Sequence, residues 1–384
     1  MKTLKVGIIG FGFIGKVHAY GHLNIPLFYS PCDFRSQIAA VCTSHQETAE
    51  KGAAQIGALK AITDYHEITE NPEIDIVDIC TPNDRHCEAV LSAIQHQKHI
   101  YCDKPLTATY AEALKIQEAL KDYKGISQMT LHNRFFPVTL KAKQMIEDGI
   151  IGDILEFRGS YLHSGSSDPN APLKWKLSSE AGGGVIADLG SHILDLMEHL
   201  IGPFDSISAV THIAYPDRPS ASDPTQRVKV TAEDNMLTTV RLANGAVGYV
   251  SASKIATGTE DEVSFEIHGT KGALKLVAGD LHHLYYYNCA LPGKPIGGLR
   301  GWTAIDCGGR YEPPAGAFPT PKASIGWLRG HMHCLYNFLS NVSAGHPSSP
   351  DLERGIYVQG LMEKVREAAK SGQWVKLQSL YSTK

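Results

Sequence analysis

Short apolar runs alternate with helical patterns through the first third of the chain. KVGIIG (5–10), IAAVC (38–42), IDIVDIC (74–80), HIYC (99–102) and GISQMTL (125–131) have the length and β-branched content of strands. Between them, segments such as 85–97 and 107–123 repeat apolar residues at helical spacing. The strands are continuously apolar instead of alternating, so both faces are buried. Strand–helix repetition of that kind predicts an α/β domain over residues 1–131, a doubly wound parallel sheet with helices on either side.

From about residue 152 the rhythm changes. Segments 153–163, 228–242, 246–254 and 262–269 read as long strands, several joined through Asn-Gly or Gly turns. One helix, 184–200, interrupts them. Residues 132–384 are therefore expected to form an α+β domain with a mostly antiparallel sheet. A Gly- and Pro-rich stretch, 288–326, reads as a long irregular loop, and helices near 327–343 and 351–371 close the chain. Whether those last helices pack back on the first domain is left open by the pattern.

Composition narrows the functional classes. A length of 384 residues is long for one core and agrees with two domains. A net charge of -4 supplies neither a basic field for nucleic acid nor a polybasic membrane patch. No apolar run approaches the length of a spanning helix, and glycines interrupt the N-terminal one before any cleavage site, so a cytoplasmic protein is expected. The eight cysteines form no CxxC pair, which points to reduced, packed thiols and to no metal site.

Chemistry enters at the first strand's end. GFGFIG sets Gly10, Gly12 and Gly15 at the GxGxxG spacing, between a strand and a helix, where a dinucleotide's pyrophosphate meets a helix N-terminus. Phe11, Phe13 and Ile14 complete that Rossmann loop. After the second strand stands Ser44 in place of a ribose-binding acid, and no arginine is near to neutralise a 2′-phosphate, so NAD is favoured over NADP. Two more strand ends face the crevice. CTPNDRH carries Thr81, Pro82, Asn83 and His86, with Asn83 or Asp84 also suited to cap the next helix. CDKP carries Asp103 and Lys104, the lysine being either a solvated loop residue or a donor to a substrate hydroxyl.

In AGGGVIADLGSHILDLMEHLIG (181–202), Asp188, His192 and Asp195 recur at helical spacing on one face. A carboxylate one turn from an imidazole can orient it and stabilise its charge as it accepts a proton. The glycines before the helix are expected to open room for a flat ligand ring. In the preceding stretch 159–176, Tyr161 and His163 point to one face of a strand, and Lys174, Trp175 and Lys176 add cations and a ring.

GFGFIG, TPNDRH, CDKP, NRFFP (133–137) and GGGVIADLGSHILDL resemble, in order and spacing, the Gfo/Idh/MocA family of nicotinamide-dependent sugar enzymes. The resemblance implies that Lys104, Asp188 and His192 are catalytic, that NAD is the cofactor, and that a hydride passes between a sugar-ring carbon and the nicotinamide. It departs from the family at Asp103, where a glutamate is usual. The stretch 15–29 resembles the branch that includes levoglucosan dehydrogenase and NAD-recycling glycosidases such as sulfoquinovosidases. Within that branch, transient C3 oxidation serving glycoside cleavage is favoured over net dehydrogenation with release of a keto sugar. Tyr161 and His163 would supply the added acid and base, while Arg134, Lys174 and Lys176 would receive an anionic sugar. A non-catalytic NAD-binding module is the remaining alternative. A homo-oligomer is expected, since one face of a long antiparallel sheet needs cover.

Overall fold

The N-terminal apolar run forms β1 (Lys2–Ile9), buried over its last four residues, and the glycine loop after it leads into α1 (Phe13–Phe28). The computed structural model describes residues 1–324 and 326–381. Two units separate, one of Met1–Phe135 with Arg310–Gln359, the other of Phe136–Gly309 with Gly360–Lys384.

In the first unit α1 is followed by β2 (Phe34–Cys42), α2 (Gln46–Ile56), β3 (Lys60–Ile62), a single turn α3 (His66–Thr69) and β4 (Ile76–Ile79). Next come α4 (His86–Gln95), β5 (His99–Cys102), α5 (Tyr110–Ala119) and β6 (Ser127–Met129). The six strands are parallel and ordered β3-β2-β1-β4-β5-β6. The order reverses between β1 and β4, which is where such a sheet opens a crevice at its carboxyl ends. The expected doubly wound sheet is present. Its third strand and α2 escaped the sequence pattern because α2 buries only Ala49, Gly52 and Ala53, too small a stripe to register.

β4 is buried at every position, yet it carries a carboxylate, Asp78, with no exposure. The helix above resolves the conflict. His18 and His22, one turn apart on α1, bring Nδ1 to 2.8 Å from Asp78 Oδ1 and Nε2 to 3.2 Å from Oδ2. Cys80 Sγ donates to the same Oδ1 at 3.3 Å. His18, Asp78 and Cys80 have the donor types of a metal site, but their atoms stand at hydrogen-bond spacing, so the cluster is an ion pair with a thiol attached. Burial opposes charge on both partners; their mutual attraction wins, raising His18 and holding Asp78 below the ordinary carboxylate range.

The second unit begins with α6 (Pro137–Glu147) and β7 (Ile154–Leu162), then α7 (Ser191–Ile201), β8 (Phe204–His212), β9 (Asp217–Pro219) and β10 (Arg227–Lys229). It continues through β11 (Asn235–Leu242), β12 (Val247–Ser253), β13 (Glu262–Gly269), β14 (Gly272–Leu276), β15 (His283–Asn288) and β16 (Trp302–Asp306). The closing helices are α8 (Trp327–Ala344) and α9 (Leu352–Ser371), followed by β17 (Val375–Lys376) and α10 (Gln378–Tyr381). α8 lies with the first unit, where Gln128 Nε2 of β6 donates to Cys334 O at 2.7 Å.

Nine strands form one sheet, ordered β16-β15-β14-β13-β7-β12-β11-β8-β17. All neighbours are antiparallel except β7 and β12. Three expectations need correction. The strand expected over 228–242 is broken, because Val230 and Asp234 turn aside to bond Pro216 O and His212 O. The loop expected over 288–326 contains β16, which pairs with β15. The helix expected over 184–200 starts as a π-helical turn, Ile186–Gly190, and becomes α-helical only at Ser191. α7 is buried on nearly every side, with Gly159 of β7 clearing space for Met197. Among the described residues no helix is long and apolar enough to cross a membrane.

Replacing Asp78 by Ala would leave two buried imidazoles without their counter-charge and is expected to cost about 3–5 kcal/mol at pH 6. The raised His18 contributes fully below its ordinary 6.5 and loses its share as pH rises through the raised value. The depressed Asp78 contributes at neutral pH and is lost only in strong acid. Urea denaturation should therefore show the gap between parent and Asp78→Ala narrowing between pH 6 and pH 9.

Candidate active site

Each glycine of the first loop meets a different demand. Gly10 has φ 93°, and a Cβ there would sit 2.7 Å from the Cys80 carbonyl. At Gly15 a Cβ would be 2.2 Å from Gly10 O, so this glycine lets α1 start tight against the loop. At Gly12 a Cβ would meet nothing within 4 Å. Its bareness serves something outside the chain. The N-terminus of α1, capped at Gly12 by no side chain and with no acid in its first turn, directs free N–H groups into that opening. Thr81 Oγ1, at the end of β4, is buried and has no partner among the described residues. An open cradle, an uncapped helix and an orphaned hydroxyl fit a dinucleotide such as NAD.

The flanking residues divide the work. Phe11 packs its ring on Gly52 of α2, Ile14 is half-buried, and Phe13 is 72% exposed and stacks on Trp327 at 5.7 Å. Ser44 lies exposed after β2. Pro82 opens a 3₁₀ turn, Asn83–Arg85, with Asn83 buried, and Arg85 N donates to Pro82 O at 2.9 Å. The N-cap position falls on Pro82 for this turn and on Arg85 for α4, in place of the expected Asn83 or Asp84. His86 is fully buried, with Nδ1 3.0 Å from Pro105 O and Nε2 2.8 Å from Thr81 O. Both nitrogens face protein carbonyls, so His86 braces two strand-end loops and has no atom left for a cofactor.

Asp103 and Lys104 are half-buried after β5, and the residues from Pro105 to Ala108 are buried. The Asp103 charge helps raise His18 and the Cys80 thiol. Arg134, in a 3₁₀ turn, is 9% exposed. Two imidazoles that the sequence did not single out stand nearby in this unit, His331 of α8 stacked on His132 at 3.7 Å. Burial first, then the charges of His132, His18 and Lys104, hold His331 well below its ordinary range.

In the second unit the π-helical turn presents Asp188. Its two oxygens both lie 3.1 Å from Lys176 Nζ, and Oδ2 lies 3.2 Å from Lys254 Nζ. Lys254 was not singled out by the sequence reading. It follows the last residue of β12 as Lys104 follows the end of β5, so the same signal marked both. Tyr161 is buried with its ring centre 5.8 Å from that of His192, itself 4% exposed. Burial, then Asp261 and Asp188, push the Tyr161 phenol well above its ordinary range. Burial also lowers His163, with Lys254 and Lys176 adding to the effect against Asp188. Gly165 N donates to His163 Nδ1 at 3.0 Å, which leaves the ring proton on Nε2.

The parallel pairing of β7 with β12 creates this convergence. Leu162 stands opposite Ser253, so His163 and Lys254 leave the sheet side by side. Lys174 and Trp175 stay exposed, and Lys176 reaches past the indole with Nζ 5.8 Å from its centre. Lys176 is thus engaged by Asp188 and is not an unoccupied anion ligand. The glycines need a second correction. A Cβ on Gly183 would strike Lys176 and Ser178 backbone at 2.6–2.7 Å, and Gly184, at φ 105°, faces Glu233 Oε1 at 2.3 Å. Gly183 and Gly184 thus serve close packing within the chain.

Residues 4–131 match the family model described as oxidoreductase family, NAD-binding Rossmann fold, and residues 143–377 match its C-terminal alpha/beta domain. The chain belongs to the Gfo/Idh/MocA oxidoreductase family. Levoglucosan dehydrogenase of Pseudarthrobacter phenanthrenivorans is 32% identical over 387 residues, covering 98% of each chain. A solved structure of levoglucosan dehydrogenase in complex with NADH and levoglucosan superposes with a TM-score of 0.92 at 32% identity, covering 98% of this chain and 99% of that one. Myo-inositol 2-dehydrogenase of Thermotoga maritima is 27% identical, covering 71% of this chain and 74% of its own. Within the family this chain is an oxidoreductase, its Rossmann unit the NAD-binding domain.

The two inner glycines should separate on substitution. Gly12→Val is expected to leave the melting temperature within about 2 °C of the parent and to weaken NAD at least about tenfold, read by calorimetric titration. Gly15→Val, which drives a side chain into Gly10, should lower the melting temperature as well.

Proposed function

We propose that this enzyme withdraws a hydride from a pyranoside ring carbon, C3 favoured, and that the oxidation is transient and serves cleavage of a glycoside. The observation that carries the reading is the company kept by Asp188: Tyr161 and His163 both feel its charge, and the Tyr161 ring lies beside that of His192. Bound NAD would supply the hydride acceptor, held by Gly10–Gly15 and the ends of β4 and β5. His192 takes the hydroxyl proton, Asp188 orients the imidazole and stabilises its charge, and Lys104 donates a hydrogen bond to the same oxygen. A ketone at C3 acidifies the C2 hydrogen. His163, kept neutral by its surroundings, accepts that proton at Nδ1 as the hydrogen bond from Gly165 N gives way, and Tyr161, kept protonated, donates to the departing aglycone oxygen. Water then adds at C1 as C2 regains a proton, and the C3 ketone takes back the withdrawn hydride and a proton to become the alcohol. The sum is glycoside plus water to sugar plus aglycone, with no net oxidation.

Net dehydrogenation with release of a keto sugar is the second reading, and the likeness to levoglucosan dehydrogenase favours it. An anionic sugar is the finer form of the substrate proposal, resting on Lys174, Lys176 and Arg134, with Lys176 weakened as a ligand by its pairing to Asp188. A homo-oligomer belongs to the same proposal. Leu237 and Val210 stand opposite each other on β11 and β8 at 54% and 66% exposure, an apolar strip that a second copy of the chain would cover.

A panel of neutral and sulfonated nitrophenyl pyranosides, incubated with NAD, decides between the readings. Cleavage predicts nitrophenol release at catalytic NAD with no accumulation of NADH; stoichiometric NADH without nitrophenol leaves only a dehydrogenase. His192→Ala is expected to lower kcat about 10²–10⁴-fold with NAD affinity unchanged. Undiminished turnover in that variant would remove His192 from the mechanism.

A further inference from the structure

We infer that Lys254 is a positioning residue for this reaction: its buried ammonium seats against Asp188 and holds that carboxylate, ionised and in one orientation, beside the helix that carries His192. The inference rests on the proposed role of Asp188 and His192. It starts from the contrast between the two lysines on one carboxylate. The Lys176 side chain is 48% exposed, so its pairing is screened by water and salt. The Lys254 side chain is 5% exposed, and a buried ammonium persists only where its surroundings are built to pair it.

The backbone is built for that purpose. Lys254 N donates to Asp234 O at 2.9 Å, and Ser166 N donates to Lys254 O at 2.8 Å. The residue is clamped on both sides, just past the point where β12 runs parallel to β7. The side chain therefore leaves the sheet in a fixed direction, toward Asp188. A loop lysine at a solvated strand end would show neither the clamp nor the burial.

The charges around the pair define what Lys254 does. Asp188, Lys176 and Asp234 face the ammonium, burial being the larger influence that lowers it. Asp188 in turn is felt by His163 and Tyr161, with Asp261 behind both, and His192 follows one turn later. A fixed positive charge here lowers the proton affinity of the Asp188–His192 set. Its removal makes both groups take up protons at higher pH, so activity that needs them deprotonated is lost earlier on acidification. Arginine, charged at every working pH, would preserve this effect where methionine and glutamine would not.

The test is a titration that does not need turnover. In protein labelled at histidine side chains, the His192 resonance is assigned by its loss in His192→Asn, and its midpoint is followed by NMR in the parent, Lys254→Met, Lys254→Gln and Lys254→Arg. NAD binding, seated in the other unit, serves as the check that each variant is folded. Lys254→Met and Lys254→Gln are expected to raise the midpoint by about one pH unit, with the arginine variant close to the parent. Wherever a glycoside or levoglucosan is turned over, the acid limb of kcat/KM should move by the same amount. A midpoint unmoved in both neutral variants overturns the inference, and a loss of kcat/KM equal at every pH assigns Lys254 to packing alone. If the parent acts on none of these sugars, the proposed function fails while the titration still decides the role of Lys254.

Discussion

A single fully buried carboxylate ties the cofactor helix to its sheet. Asp78 occupies a strand with no exposed position, and the imidazoles of His18 and His22, with the Cys80 thiol, make its charge tolerable there. That pairing sets the axis of α1 against β4. The glycine loop that begins α1 must then approach the end of β4 as closely as the missing side chain of Gly10 allows. Gly12, Thr81 and the free helix N-terminus take their mutual places from this contact. Asp103 adds its charge to the same cluster, so the acid that departs from the family's pattern acts inward, on His18 and Cys80.

The second unit applies the same rule with the signs reversed. A lysine is buried, and a carboxylate on a π-helical turn meets it. π-helical turns are rare and concentrate at functional sites, because the wider turn redirects side chains that an α-helix would stack. Here the redirected group is Asp188. The one parallel pairing in an otherwise antiparallel sheet brings two strand ends to the same edge, and His163 and Lys254 both emerge from it. Polar groups at that edge hold one another in unequal protonation states: a phenol kept protonated, an imidazole kept neutral and an ammonium under pressure to lose its proton. Environments that push neighbouring groups apart in this way are what acid–base chemistry at neutral pH requires.

Some of this was legible residue by residue. GFGFIG announces its own geometry, since its spacing, its preceding strand and its following helix each restrict what the glycines can do. Lys104, Asp188 and His192 stood out because polar residues at strand ends and on an otherwise apolar helix need a reason. Gly183 and Gly184 misled, as crowding by Lys176, Ser178 and Glu233 requires bare backbone as firmly as a ligand would. Asn83 misled as an N-cap, for the N-cap position of the 3₁₀ turn falls one residue earlier, on Pro82. α2, β3 and β14 to β16 were illegible because short strands and a small-residue helix carry too few large apolar positions to set a period.

The sequence by itself determined the two architectures, the dinucleotide loop and the residue types of the proposed proton-transferring site, because periodicity, glycine spacing and strand-end polarity are local properties. Tertiary structure alone decided which charges meet. Asp78 lies 60 residues from His18, and Asp188 lies far along the chain from Lys254, so no spacing in the sequence could pair them. Strand register did so, by carrying Lys254 out of the sheet beside His163. Burial then made the pairing obligatory, since a charge removed from water must find its partner within the fold.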